Sequence, residues 1–208
     1  MTAETAPPEA SPPISPRAPV AKHVTVPIRK GAADNLLPAS AGGGSAPTPP
    51  SEEILALERA MGLLRGKHDA PAALAALNDY IARFPRGVLA PEARVARIDA
   101  LLLLGRADDA LRALEAMPLD AHRRSTELQL IRAELRARTD CGRAEADFTA
   151  VLARVRTATL EERALYGRAA CRSSAKHAAA ADDLRRYVDR FPNGPHADWA
   201  RRWLENDR

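Results

Sequence analysis

Aromatic side chains are scarce in this chain of 208 residues: three Phe, three Tyr and two Trp. A broad aromatic ligand pocket is therefore excluded, and any core must be assembled from smaller apolar side chains at close spacing. Val, Ile and Thr are also few beside Ala, Leu and Arg, so sheet is disfavoured and helix favoured. No run approaches the roughly 18 apolar residues that a membrane span needs. The first residues lack the charged-then-apolar pattern of an export signal, so the chain as it begins at Met1 is expected to be soluble and unexported, with anchoring possible only if its true start lies upstream. Charge of one sign is lacking as well. Lys and Arg number 31 against 27 Asp and Glu, a net +4. Both signs are interleaved as on a solvated surface, which argues against a nucleic-acid partner.

Composition changes sharply near residue 50. Residues 1–50 hold 11 of the 17 prolines and the run Gly42-Gly43-Gly44, with too little apolar surface to offset the entropy of ordering, and read as a disordered tail or linker. Residues 51–208 read as one domain, long enough for a single core.

Within that domain Tyr80-Ile81-Ala82-Arg83-Phe84-Pro85 is echoed by Tyr187-Val188-Asp189-Arg190-Phe191-Pro192, an offset of 107 residues. Three periods of about 34 to 36 residues fit that offset. Met117-Pro118 and Val155 then mark two intermediate copies. Three and seven positions before each end stand Leu77 and Ile81, Ala110 and Leu114, Phe148 and Leu152, and Leu184 and Val188. All eight are apolar and are expected to form the repeat core.

Helix punctuation supplies the boundaries. Ser51 opens a first helix through Arg65; Asp69 and Pro71 open a second that Pro85 stops. A third runs from Pro91 to Leu104 and ends at Gly105, and a fourth opens at Asp108-Asp109 and stops at Pro118. A fifth is expected from Asp120 to Thr139, with Gly142 in the turn before a sixth that reaches Arg156. Thr159, Glu161 and Glu162 open a seventh ending at Cys171, an eighth covers Ala175 to Arg190, and Pro195 begins a ninth carrying Trp199 and Trp203. Short turns force antiparallel neighbours, and successive pairs must stack to bury their open faces. The expected fold is all-α, a short α-solenoid of about four helical hairpins with a terminal capping helix.

The segment Leu104-Gly105-Arg106-Ala107-Asp108-Asp109-Ala110-Leu111 resembles a tetratricopeptide repeat. So does Tyr187 to Trp203, with Arg190-Phe191-Pro192-Asn193-Gly194 followed by Ala197 and Ala200. The Phe-Pro end, Gly turn and Ala-rich helix are similar to periplasmic repeat proteins of bacterial envelopes, the BamD-like outer-membrane lipoproteins and the Tol-Pal-associated coordinators. That resemblance implies partner binding on a concave surface lined by the first helix of each pair, within an envelope assembly. The repeat pattern's aromatic, Leu and Gly in the first helix are not kept. The helix from Pro91 to Leu104 offers Val95, Ile98, Leu101 and Leu102 instead, so no ligand-contacting residue is carried over.

Cys141 and Cys171 are the only cysteines. Placed at the ends of the fifth and seventh helices, adjacent first helices of a stack, they come within reach of a disulfide stapling the third and fourth hairpins; two separate buried thiols are the alternative. A bridge argues for a periplasmic or envelope location; free thiols and the absent signal argue for a cytoplasmic scaffold attached to signalling or transcription machinery. Residues 121–175 carry eleven Arg against seven acidic residues, and Arg132, Arg136 and Arg168 are candidates for a groove gripping carboxylates of a partner. The alternative pairs such arginines with Glu127, Glu134, Glu161 and Glu162 on the surface.

The histidines at 23, 68, 122, 177 and 196 have no ligand-pair spacing, so no metal is expected. Asp108-Asp109 and Glu161-Glu162 fall in first helical turns, where carboxylates favour the dipole, and Asp182-Asp183 reads as a solvated face. No nucleophile elbow or phosphate loop is present. The chain reads as a non-catalytic protein- or peptide-binding scaffold without a cofactor.

Overall fold

The Asp69 carboxylate accepts a hydrogen bond from the Ala72 amide at 3.0 Å, satisfying one of the amides that every helix start leaves without a partner. Pro71 sits in that same first turn, where a missing N–H costs nothing. Helix α2 (Ala70–Arg83) accordingly begins where the sequence places it. The computed structural model describes residues 52–120 and 122–206; the Pro-rich segment 1–50 lies outside them.

Nine α-helices follow one another among the described residues, with no strand: α1 (Glu52–Met61), α2, α3 (Ala90–Leu103), α4 (Ala107–Glu115), α5 (Ser125–Arg136), α6 (Cys141–Arg154), α7 (Ala158–Ser174), α8 (Ala180–Arg190) and α9 (Ala197–Asn206). Each helix packs on the next in sequence, and α5 also touches α7. The protein is therefore all-α, four hairpins (α1–α2, α3–α4, α5–α6, α7–α8) stacked in order and closed by α9.

Several boundaries differ from the sequence expectation, each for a local reason. The first helix widens into a π-helical turn over Gly62–Gly66 instead of continuing as α-helix to Arg65. Helix α5 starts at Ser125, not Asp120. The chain before it is spent on turns in which the His122 amide donates to the Leu119 carbonyl and the Ser125 amide to the His122 carbonyl. Gly142 is inside α6, because Asp140 caps that helix through the Arg143 amide at 3.0 Å. Helix α7 continues past Cys171 to Ser174, and α8 waits until Ala180 because Lys176 takes a left-handed φ of 51° and breaks the chain direction. Gly105, with φ 69°, does the same after α3 without a Cβ to strain.

Burial sorts the eight expected core positions into two groups. Leu77, Ala110, Leu114, Phe148 and Leu184 are completely enclosed. Ile81, Leu152 and Val188 lie at the margin of the clusters, only partly buried. In α2, α6 and α8 the enclosed partner stands one residue earlier, at Tyr80, Val151 and Tyr187. At the C-terminal ends of these helices the inward stripe advances by three residues, whereas α4 keeps the four-residue step from Ala110 to Leu114.

The Phe-Pro echo marks a repeated corner. At the first, Glu53 Oε1 accepts from the Tyr80 hydroxyl at 2.7 Å and from the Leu89 amide at 2.8 Å, and a Cβ on Gly87 would overlap that carboxylate. At the second, Glu162 Oε1 accepts from the Tyr187 hydroxyl at 3.0 Å, the Tyr187 oxygen accepts from the His196 amide at 3.3 Å, and Gly194 lies against both side chains. Arg94 donates to the Pro85 carbonyl and Arg201 to the Pro192 carbonyl. Glycine is needed at these turns because a carboxylate from the previous first helix occupies the space of a side chain.

Candidate functional site

Arg132 and Arg136 stand four residues apart on α5 and so share one face. That face turns toward α6, the helix that completes the hairpin. Arg132 donates from Nε and Nη2 to the two oxygens of Asp147 at 3.0 and 2.6 Å, and Arg136 adds Nη1 at 2.7 Å while its other nitrogens hold Glu115. Asp147 is only 5% exposed, so the two cations and the three hydrogen bonds they supply compensate its loss of water.

The arrangement recurs one repeat later. Arg168 donates from Nε and Nη2 to Asp183 at 2.9 and 2.7 Å, and Arg172 adds Nη1 at 2.9 Å while holding Glu145. All three members are displaced by 36 residues: Arg132 to Arg168, Arg136 to Arg172 and Asp147 to Asp183. Asp183 is 4% exposed, which corrects the expectation of a solvated Asp182-Asp183 face; only Asp182 is exposed. The arginine groove is corrected too. Arg132 and Arg168 are committed to buried Asp147 and Asp183 of their own hairpins, and Arg136 divides its donors between Asp147 and Glu115 of the preceding hairpin, leaving no open fork for a partner's carboxylate. The surface alternative holds for other arginines: Arg124 pairs with Glu127 and Arg163 with Glu134. The signal was present in the sequence as Arg-x3-Arg with Asp fifteen residues after the first arginine, twice, but an aspartate in a helix gives no hint of burial until its partners are placed.

The opposite side of the first helices carries the polar features that face outward. Arg124, just before α5, donates to both oxygens of Asp99 on α3 at 2.8 and 3.2 Å and to Glu127 on α5 at 3.0 and 2.9 Å. Arg163 on α7 reaches back to Glu134 on α5 with bonds of 2.9 and 2.6 Å. A ladder of charges thus runs α3 to α5 to α7, its side chains between 24% and 39% exposed. Its bonds from Arg124 hold the Glu127 carboxyl below its ordinary range, against the opposing effect of burial. Glu127 and Arg163 are 36 residues apart and occupy the same place in successive repeats with opposite charge.

Beyond α7 the ladder ends in rings. Tyr166 stacks on His196 at 3.5 Å between centroids with the ring planes nearly parallel, and meets Trp199 edge-on at 5.5 Å. Burial raises the Tyr166 hydroxyl and lowers the His196 imidazole, the latter against the opposing charge of Glu162. Trp199 and Trp203 pack beside the buried cluster of Leu165, Leu184 and Tyr187.

Cys141 and Cys171 form a disulfide with Cα atoms 5.1 Å apart. Cys141 is the first residue of α6, not the end of α5 as the sequence reading has it. The bridge therefore joins the second helix of hairpin three to the first helix of hairpin four. The open clefts lie elsewhere, one between α7 and α8 lined by Glu161, Asp182, Arg185, Arg186, Asp189 and Arg190. Among the described residues no group of three His, Cys, Asp or Glu is arranged to hold a metal, and no helix is long and apolar enough to cross a membrane. No family model, curated protein or solved structure matches this chain.

Proposed function

We propose that this chain is a non-catalytic, tetratricopeptide-like scaffold that holds a protein or peptide on the row of first helices, in a bacterial envelope assembly similar to those of the BamD-like proteins. The observation that carries the reading is the charge ladder Asp99–Arg124–Glu127 and Glu134–Arg163, presented by the first helices of three successive hairpins. A row of partly exposed charges of both signs fixes the register and orientation of a partner and rejects mismatched ones. The aromatic group at Tyr166, His196 and Trp199 continues the row with a surface suited to an apolar anchor. The faces that α5 and α7 turn toward their second helices offer less, since their arginines are consumed by Asp147 and Asp183. The envelope part of the reading is supported by the Cys141–Cys171 bridge, a bond that persists in oxidising compartments.

Site-specific photo-crosslinking in cells producing the full chain tests the surface. A crosslinker at position 127 or 163 is expected to yield discrete protein adducts, and one at the exposed second-helix positions 153 or 182 is expected to yield none. Adducts from the second-helix positions alone would reject the docking face.

A further inference from the structure

The two sulfurs of the bridge are unequally placed. Cys141 is partly exposed in the first turn of α6, whereas Cys171 is 2% exposed near the end of α7, inside the cluster formed by Phe148, Val151 and Ala164. Thiol–disulfide exchange requires an attacking thiolate to approach one sulfur in line with the bond and the other sulfur to leave. Only the Cys141 side offers that approach. The start of a helix of 14 residues also sets the positive end of the dipole beside Cys141, which favours a thiolate there once it is released, although the Arg143 amide is already held by Asp140. The Ser174 hydroxyl, which donates to the Cys171 carbonyl at 2.8 Å, lies 3.8 Å from Cys141 Sγ and can turn to that thiolate.

We propose that the Cys141–Cys171 bridge is a thiol-exchange site operated from Cys141, which makes the joint between hairpins three and four responsive to a dithiol reductant. A reductant thiolate attacks Cys141 Sγ, forming a mixed disulfide there, and Cys171 leaves as a thiolate that takes a proton. The second thiol of the reductant, as thiolate, then attacks its own sulfur in the mixed disulfide and expels the Cys141 thiolate. Two electrons pass from the dithiol to the protein, the reductant becomes a disulfide, and both protein cysteines end as thiols. The joint does not come apart. Phe148 remains packed against Gly167, and Arg172 still spans Glu145 on α6 and Asp183 on α8. What is released is the edge where α6 begins and α7 ends.

Peptide mapping of the full chain, acid-quenched during reduction by glutathione, tests the direction of attack. Glutathione is expected on the peptide carrying Cys141, and glutathione on the Cys171 peptide would overturn the proposal. In the folded single variants, Cys171→Ser is expected to leave a thiol at 141 that reacts with glutathione disulfide roughly tenfold or more faster than the thiol at 171 left by Cys141→Ser. Equal rates would overturn it, as would a wild-type chain with two free thiols after purification from an oxidising compartment. Amide exchange on the reduced wild type is expected to quicken over residues 137–146 and 168–178 alone; uniform quickening along the domain would show global unfolding and reject the local joint.

Discussion

Arg132 grips Asp147 through two parallel bonds, Nε to Oδ2 at 3.0 Å and Nη2 to Oδ1 at 2.6 Å, and the same bonds join Arg168 to Asp183 one repeat later. Arg136 and Arg172 share the respective carboxylates. Removing the anion leaves two poorly hydrated guanidinium groups facing each other. Asp147→Leu is therefore expected to destabilise the domain by about 3 kcal/mol, and replacing Arg132, Arg136 and Asp147 together by apolar residues to recover most of that loss. Urea unfolding followed by circular dichroism gives both numbers. A loss below about 0.5 kcal/mol for Asp147→Leu would mean the clamp behaves as an ordinary surface pair.

Phe148 and Gly167 meet face to face across the joint between hairpins three and four. A Cβ on residue 167 would overlap the Phe148 ring, which is itself fully enclosed. Gly167→Ala is expected to cost about 1–3 kcal/mol through overpacking, and Phe148→Leu placed beside it to relieve part of the cost. A double-mutant cycle measures the coupling. Independent, additive effects would place the clash elsewhere.

How far the sequence discloses this molecule can be followed along α6 and α7. Phe148 and the period of its neighbours were readable, because apolar spacing and Pro or Gly punctuation are local and repeat. Gly142 misled, since a glycine after Asp140 serves equally in a turn or in the first helical turn, and only the cap bond from Arg143 decides. The arginines misled more. Their number suggested a surface, but whether a guanidinium faces outward depends on a carboxylate eleven or fifteen residues away. Gly167 gave no signal at all, because its role is set by a ring on another helix. Apolar period disclosed the core helices, whereas the Asp140 cap and the buried ion pairs, which depend on one bond or on a residue of another helix, did not follow from it.

The corner at Glu53 and Tyr80 gives the domain opposite slopes at the two ends of the pH scale. The Leu89 amide, followed by the Tyr80 hydroxyl, holds the Glu53 carboxyl below its ordinary value of 4.5. A depressed carboxyl contributes stability that is present above the unfolded value and lost as pH falls below it. Burial, followed by the bond to Glu53, raises the Tyr80 hydroxyl far above 10.0. A raised group contributes stability that is present below its unfolded value and lost as pH rises past 10. Glu53→Gln is expected to flatten the acid limb of thermal stability below pH 4.5, and Tyr80→Phe the alkaline limb above pH 10. Unchanged slopes in either variant would remove that pair from the account.

Reduction of the bridge is expected to lower stability without dissolving the fold. The bond closes a loop with a sequence separation of 30, for which chain entropy predicts a loss of about 3–4 kcal/mol. At this size each kcal/mol corresponds to roughly 2–4 °C, so a fall in Tm on the order of 10 °C is expected. Calorimetry with and without a phosphine reductant checks it. Complete loss of helical signal at 25 °C on reduction would show that the stacked hairpins cannot hold the joint alone.

Arg163 and Glu134 separate the role of the first-helix face in binding from any role in stability. Both side chains are about a quarter to a third exposed, so the pair itself contributes roughly 0.2–1 kcal/mol, and reversing one charge leaves the domain folded. Recognition is more sensitive, because a like charge brought against a docked partner repels where the native one attracts. Arg163→Glu is expected to shift Tm by no more than about 3 °C, given the conversion above, while reducing the adducts formed by a crosslinker at position 127 at least fivefold. The charge-swapped pair Arg163→Glu with Glu134→Arg restores the internal bridge but not the native order of charges, so it is expected to recover Tm and not the adducts. Recovery of both would assign the ladder to stability alone; adducts unaffected by Arg163→Glu would remove the first-helix face from the proposed interface.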